Sequence, residues 1–285
     1  MSNTLLIAED AELSRKLFCQ ALANEGYNII DVGDAAAALE VIKSETVDVL
    51  LTDIVMPGMD GIELLTKAKN LQPGMRAIVM TAQSTPEARV AALRNKACNF
   101  LAKPFSVEEL QNAVRAAMER AALCQIEVIS AKPDWVEIRV PCDLAAVEPI
   151  QKLLTELHVN IPNETRECIA SVFREMLNNA IEHGGGLDPT KQVEVKYIKL
   201  KRAILYSIKD PGEGFSLESV EHAAVANPAD EPLRHMRVRQ QKGMRPGGYG
   251  ILLASQAIDE LLYNEKHNEL VFVKYLDEDQ EQKSC

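Results

Sequence analysis

No stretch of this 285-residue chain approaches the ~20 consecutive apolar residues that a membrane span needs, although 47% of its residues are hydrophobic. The first strand-like run, Leu5-Leu6-Ile7-Ala8, follows the N-terminus directly with no basic leader, so the expected location is the cytoplasm. Basic charge is also short: 31 Lys and Arg stand against 42 Asp and Glu, a formal net charge of −11. That balance argues against a general nucleic-acid binder, which needs a basic footprint. No helix-turn-helix pattern or basic recognition helix is visible either. The six cysteines (19, 98, 124, 142, 168 and 285) include no C-x-x-C pair. They are expected as reduced thiols, neither a zinc site nor a disulfide framework. No G-K-[ST] follows any glycine-rich turn, which excludes a Walker A loop.

What is present divides in two. The length suits two domains, each able to bury its own core. Residues 1 to about 120 alternate short apolar runs with helical patterns. Strands are predicted at Leu5–Ala8, Asn28–Val32, Val47–Thr52, Ala77–Thr81 and Phe100–Ala102. Helices are predicted at Ala11–Glu25, Ala35–Lys43, Gly61–Asn70, Pro86–Lys96 and Ser106–Leu123. Strict βα alternation implies a doubly wound parallel sheet covered on both faces, an α/β fold. Ligands bind such sheets outside the C-terminal strand ends. Glu9 and Asp10, Asp53, Thr81 and Lys103 all fall at those ends.

Their chemistry converges on phosphoryl transfer. Mg²⁺ takes a few hard oxygen ligands, and Asp10, Asp53 and the Val55 carbonyl can supply three, with Glu9 acting through water. A cation relieves the repulsion of close carboxylates. Lys103 offers a point charge to a phosphoryl group and Thr81 a hydroxyl donor. Lys103-Pro104 is an expected cis-peptide site. Singly, an aspartate after a strand is usually a cap; matching residues at successive strand ends point elsewhere. Through E-D, L-L-T-D-I-V-M-P-G-M-D-G, M-T-A and K-P-F, about 120 residues resemble response-regulator receiver domains. The resemblance implies that a partner histidine kinase phosphorylates Asp53, and that Thr81 and Phe100 then shift. Glu9 stands where aspartate is commoner in that family.

The joint is expected near 122–133, broken by Ala131-Lys132-Pro133-Asp134. Ser106-Val107-Glu108-Glu109 is a capping signal for the helix before it. The apolar stripe of that helix is either core or a dimer-forming, signal-passing extension. The expected division is receiver 1–121, linker 122–133, a second domain 134–278 and a tail 279–285.

In the second half, Trp135–Pro141 alternates like a strand, and Leu144–His158 and Asn163–His183 follow as helices, the latter stopped by Gly184-Gly185-Gly186. Gln192–Lys199 and Ala203–Lys209 are predicted strands, 216–246 a polar loop, Tyr249–Leu262 a helix and Glu269–Leu276 a last strand. The whole is an α+β sandwich with helices on one face of a mixed sheet. Three motifs sit on it. Glu175, Asn179 and His183 recur at i, i+4, i+8 and share one helix face. There an amide oxygen can bind Mg²⁺ and a carboxylate can deprotonate a nucleophile. Asp210-Pro211-Gly212-Glu213-Gly214 follows a strand; Asp210 can accept from an exocyclic amine, and the glycines permit close backbone approach. Arg245-Pro246-Gly247-Gly248-Tyr249-Gly250 opens a helix whose free N–H groups suit phosphate.

In this order, over roughly 140–276, the motifs resemble the N, G1 and G2 boxes of the GHKL (Bergerat-fold) ATPases. That resemblance implies ATP and Mg²⁺ as cofactors, Asn179 on Mg²⁺, Asp210 on adenine, and Gly212, Gly214, Gly248 and Gly250 shaping the site with His183, Arg245 and Gly247. The loop between them would be an ATP lid, here carrying Arg234, Arg237, Arg239, Lys242 and Arg245. No histidine lies between 106 and 144, where a histidine kinase would carry its phosphorylated residue. His158 is expected at the surface. The compact domain most resembles the anti-sigma serine-kinase type, in which Glu175 would activate a partner serine. The implied partners are a cognate histidine kinase, an anti-sigma-antagonist-like protein and a sigma factor, with a homodimer expected by analogy. The alternatives are an ATP-shaped binding switch and a hybrid histidine kinase.

Overall fold

The computed structural model describes residues 3–82, 85–119, 125–158, 161–214 and 257–276. It divides into two compact units, 1–131 and 132–285.

The first unit runs β1 (Thr4–Ala8), α1 (Glu12–Leu22), β2 (Asn28–Val32), α2 (Ala35–Ser44), β3 (Val49–Asp53), α3 (Gly61–Leu71), β4 (Arg76–Thr81), α4 (Pro86–Arg94), β5 (Asn99–Ala102) and α5 (Val107–Met118). The five strands pair in parallel in the order β2-β1-β3-β4-β5. The α/β expectation therefore holds. Alternate side chains feed two cores: Leu6, Leu50 and Val79 pack on one face, and Leu5, Ile7, Leu51, Ile78 and Met80 on the other. Every residue of β3 is buried, as a central strand covered on both faces requires. The capping box at Ser106 and Glu109 opens α5. Leu110, Ala113, Val114, Ala117 and Met118 of α5 lie in the core. Arg76, at the start of β4, closes α5 by donating from Nη1 to the carbonyls of Ala117 at 2.7 Å and Met118 at 2.6 Å. A cation on the last free carbonyls also suits the negative end of the helix dipole. Residues 120–124, where an extension of this helix was expected, lie outside the described residues.

The second unit's sheet has six strands in the order β10-β11-β9-β8-β7-β6. These are β6 (Glu127–Lys132), β7 (Trp135–Pro141), β8 (Gln192–Lys199), β9 (Ala203–Lys209), β10 (Glu260–Tyr263) and β11 (Glu269–Tyr275), with α6 (Val147–Thr155) and α7 (Asn163–Asn179) between β7 and β8. The β7/β8, β8/β9, β9/β11 and β10/β11 pairings are all antiparallel. The α+β expectation holds, but these pairings are antiparallel where a mixed sheet was expected. One face of the sheet is apolar, through Val136, Ile138, Val195, Tyr197, Ile204, Tyr206, Ile208 and Phe272, all buried. The other carries cross-strand ion pairs, Lys196 to Glu137 and Arg139 to Glu194, both at 3.3 Å. Helix α7 meets the core through Ile169, Val172, Phe173, Met176 and Leu177.

Several local expectations fail. Residues 127–132 form β6 rather than a linker. Residues 260–263 form β10, not the end of a helix, and hydrogen-bond to β11. His158 is buried, not at the surface: its Nε2 lies 3.0 Å from the Tyr206 hydroxyl, among the rings of Tyr197 and Tyr206. Burial there, helped by Lys199 and Arg166, pulls its pKa down to about 4. Cys19, Cys142 and Cys168 are free thiols, but Cys98 is disulfide-bonded, so the expectation of reduced thiols fails at Cys98. No described helix is long and apolar enough to cross a membrane.

Candidate functional site

In the first unit, parallel pairing sets the C-terminal ends of β1 and β3 side by side. This is where the strand order reverses direction, the usual ligand crevice of such sheets. Glu9 and Asp10 emerge from β1 and Asp53 ends β3. Their carboxylate oxygens lie within 4.8 Å of one another. Glu9 and Asp53 are buried and Asp10 is exposed. The Lys103 Nζ donates to Glu9 Oε2 at 2.7 Å and also to Asp53 Oδ2. The Val55 amide donates to Asp53 Oδ1 at 3.0 Å. Thr81 is buried at the end of β4, and its carbonyl accepts from the Lys103 amide at 2.8 Å. The Lys103-Pro104 peptide is cis. The six residues expected at this site are thus brought together at one mouth of the sheet.

Two local features hold the mouth open. Asp60 caps α3 by accepting from the Glu63 amide at 2.7 Å. A Cβ on Gly61 would lie 1.9 Å from the Asp53 carbonyl oxygen, so only glycine lets α3 begin this close to the aspartate's backbone. On the other side, Arg15 of α1 donates to the Glu9 carbonyl at 2.7 Å and pairs with Asp31 at 3.0 Å. Arg15 drew no attention in the sequence; its place six residues after Glu9, on the first helix, was the available signal.

Burial dominates the Glu9 carboxyl and raises its pKa, with Asp53 adding to the rise and Lys103 opposing it. Burial works against the Lys103 ammonium too, but the hydrogen bonds it donates to Asp53 and Glu9 outweigh it and its pKa rises. One ammonium against three clustered carboxylates leaves excess negative charge on hard oxygen donors. That donor set fits Mg²⁺.

In the second unit the helical pattern continues past α7 into a π turn, Ala180–Gly184, in which the Gly185 amide donates to the Ala180 carbonyl at 2.8 Å. Glu175 and Asn179 precede the turn, one helical turn apart, and both are half-buried. The wider π turn breaks the i, i+4, i+8 spacing after Asn179. His183, inside the π turn, is exposed. The helical run ends, where the glycines were expected to stop it, at Gly184. A Cβ on it would lie 2.2 Å from the Asp210 carboxyl carbon. The π turn therefore seats a bare backbone against the aspartate that follows β9.

Asp210 is half-buried, and its Oδ1 accepts from the Gly212 amide at 2.8 Å. Burial raises the pKa of its carboxyl, and the Gly212 amide opposes the rise. Gly212 and Gly214 thus join Asp210 in one loop, with Gly184 beneath it. Arg245, Gly247, Gly248 and Gly250, with the expected lid, lie outside the described residues.

Comparison with known proteins assigns both halves. Residues 5–115 match the response regulator receiver domain, and residues 140–274 match the histidine kinase-like ATPase domain. The probable transcriptional regulatory protein TcrX of Mycobacterium tuberculosis is 30% identical over 124 residues, which is 44% of this chain and 53% of that protein. The DNA-binding transcriptional regulator NtrC of Escherichia coli is 38% identical over 112 residues, 39% of this chain and 24% of that protein. The chain thus spans about half of one relative and a quarter of the other. Among solved structures, a CheY-like receiver domain protein from Methanospirillum hungatei is 30% identical and covers 42% of this chain and 96% of its own, with a TM-score of 0.41. This chain carries a response regulator receiver domain at its N-terminus and a histidine kinase-like ATPase domain at its C-terminus.

Proposed function

We propose that phosphorylation of Asp53 controls an ATP-dependent protein serine kinase in the second domain. The observation that carries the input is the Glu9, Asp10 and Asp53 cluster with Lys103 bridging two of the three. Asp53 is the acceptor. A phosphoryl group passes from a histidine kinase's phosphohistidine to Asp53: the P–N bond breaks, a P–O bond to the carboxylate forms, and the imidazole leaves. Lys103 balances charge on the phosphoryl oxygens, and the Thr81 hydroxyl donates to one of them. Glu9, Asp10, Asp53 and the Val55 carbonyl would hold Mg²⁺, which supplies charge neutralisation for the transfer.

The output reading rests on Asp210, half-buried in a glycine loop with its Oδ1 held by the Gly212 amide. Its carboxylate would accept from the exocyclic amine of adenine. Asn179 would hold Mg²⁺, and Glu175, one turn away, would take the proton of a partner serine as its oxygen bonds to the γ-phosphorus, the bond from that phosphorus to the β,γ-bridging oxygen breaks and ADP leaves. His183, Gly212, Gly214, Arg245, Gly247, Gly248 and Gly250 complete the nucleotide site. The partner is an anti-sigma-antagonist-like protein, and the domain also binds a sigma factor. Output through proteins rather than DNA agrees with the net charge of −11. A histidine-kinase reading is disfavoured: 106–144 contains no histidine, and His158 is buried with its pKa pulled down to about 4.

Incubation with labelled ATP and candidate partners tests the proposal. Phosphoserine on a partner, lost in Glu175→Ala, is expected. Output that survives Glu175→Ala would mean that ATP only shapes a docking surface. Acid-labile phosphohistidine on the chain would replace the serine-kinase reading altogether.

A further inference from the structure

The turn between β10 and β11 drew no attention in the sequence. Asn264-Glu265-Lys266-His267-Asn268 is polar, short and remote from every motif. In the fold it lies against the loop that carries Asp210. Strand β9 pairs with β11, with Lys209 opposite Glu269. One step further, the Asn268 carbonyl accepts from the Asp210 amide at 2.9 Å. The side chain of the same residue then reaches two positions along: Asn268 Nδ2 donates to the Gly212 carbonyl at 3.2 Å. Four positions along from Asp210 the backbones nearly touch, since a Cβ on Gly214 would lie 1.7 Å from the Lys266 carbonyl oxygen. The turn therefore meets the Asp210 loop at Asp210, Gly212 and Gly214, every second residue.

Asn264 keeps the turn in shape. Its side-chain oxygen accepts from the amides of Asn268 at 3.1 Å and Glu269 at 3.2 Å. Its Nδ2 donates to Asn268 Oδ1 at 2.8 Å. That last bond fixes the Asn268 amide with its oxygen toward Asn264 and its nitrogen toward Gly212. A side chain restrained at both ends loses little further freedom in holding its target.

We infer that Asn268, oriented by Asn264, is a positioning residue that sets Asp210 for recognition of an adenine nucleotide. This inference rests on the ATP-site reading above. Asn268 touches no nucleotide in this scheme. It acts through the backbone on both sides of the aspartate, while the Gly212 amide it steadies is the group that holds Asp210 Oδ1. A positioning role has a signature that a merely structural one lacks. Displacing Asp210 weakens a base that presents an amine to it more than one that presents a carbonyl. ATP binding should therefore suffer more than GTP binding.

The test is calorimetric titration of the full chain with ATP and with GTP, alongside thermal unfolding. Asn268→Ala is expected to weaken ATP by about three- to tenfold, the effect of one lost neutral hydrogen bond. GTP should change by less than about twofold, and the melting temperature should stay close to that of the wild type. Asn264→Ala keeps the Asn268 side chain but removes its restraint together with the two bonds that Asn264 accepts from the Asn268 and Glu269 amides; it should shift the ATP-to-GTP ratio in the same direction. This second variant decides the matter if Asn268→Ala does not fold. If both variants keep the wild-type ratio, or lose both nucleotides equally with a lowered melting temperature, the inference is overturned while the ATP site stands. If the wild type binds neither nucleotide, the ATP-site reading fails and the inference fails with it.

Discussion

The two candidate sites solve opposite electrostatic problems. The receiver site concentrates charge: three carboxylates and one ammonium share a mouth where two parallel strands end. The slot around Asp210 in the second domain holds one charge: a single half-buried aspartate stands among glycine backbone and amide groups. The first arrangement suits a cation and a phosphoryl group, whose charges it matches. The second suits a neutral base, which needs a single hydrogen-bond acceptor in a close-fitting slot.

That contrast can be broken from either side. The largest effect is expected from Asp53→Asn, which removes the acceptor. Mass spectrometry after acyl-phosphate treatment should find no phosphate on the receiver. The same variant relieves repulsion among the acidic side chains and should unfold at a higher temperature than the wild type. Retained phosphorylation would place the acceptor elsewhere.

Gly184→Ala is the matching lesion in the ATPase site. One methyl group would enter the space of the Asp210 carboxyl. Forcing it in should cost about 1–3 kcal/mol of domain stability and remove measurable ATP binding, while receiver phosphorylation continues. A variant that binds ATP normally would show that Gly184 does not shape the slot.

His158 gives a pH dependence to the second domain. Its pKa is pulled down to about 4 by burial, from an ordinary 6.5. The unfolded chain therefore takes up a proton that the folded chain refuses. The stability associated with neutral His158 is complete above pH 6.5 and is lost as pH falls toward 4. At 1.36 kcal/mol per pKa unit the loss is about 3 kcal/mol. Asp210 and Glu9, whose pKa values are raised, act in the opposite direction. Urea unfolding at pH 7 and pH 5 separates these effects, because His158→Phe should remove the loss on acidification. A variant that unfolds with the wild-type pH dependence would contradict the account.

The smallest effect serves as a control. Leu187, beyond the π turn, is exposed and has φ of 57°, and Lys96 in the receiver has φ of 56°. Glycine at either position should change stability by at most about 1 kcal/mol and leave both activities intact. Impaired ATP binding in Leu187→Gly would mean that this loop belongs to the site.

The same contrast explains what was legible in the chain. Receiver residues sit at the ends of short apolar runs, and parallel pairing carries those ends together. Position along the chain therefore predicted position in space for Glu9, Asp10, Asp53, Thr81 and Lys103. The ATPase slot depends on approach between distant backbones, which side-chain patterns do not record. Asp210 was visible, but the role of Gly184 against it was not. A π turn shifts hydrogen bonds by one residue with no residue type to mark it, so the turn at Ala180–Gly184 was not foreseen. Strand β6 was hidden because its apolar residues face no single environment: Val128 is half-buried, Ile129 exposed and Ala131 buried, in an otherwise polar run. Strand β10 was hidden because Leu261 and Leu262 extend a helix-like pattern. The burial of His158 depends on Tyr206, 48 residues away, which no local pattern shows.

The central claim is that the receiver site controls the ATPase site. ATP affinity and partner phosphorylation should be measured on the full chain before and after acyl-phosphate treatment, with Asp53→Asn beside it. The account predicts a change in the wild type and none in Asp53→Asn. Equal ATP affinity and equal phosphoserine yield in treated and untreated wild type, with Asp53 shown to be phosphorylated, would contradict it.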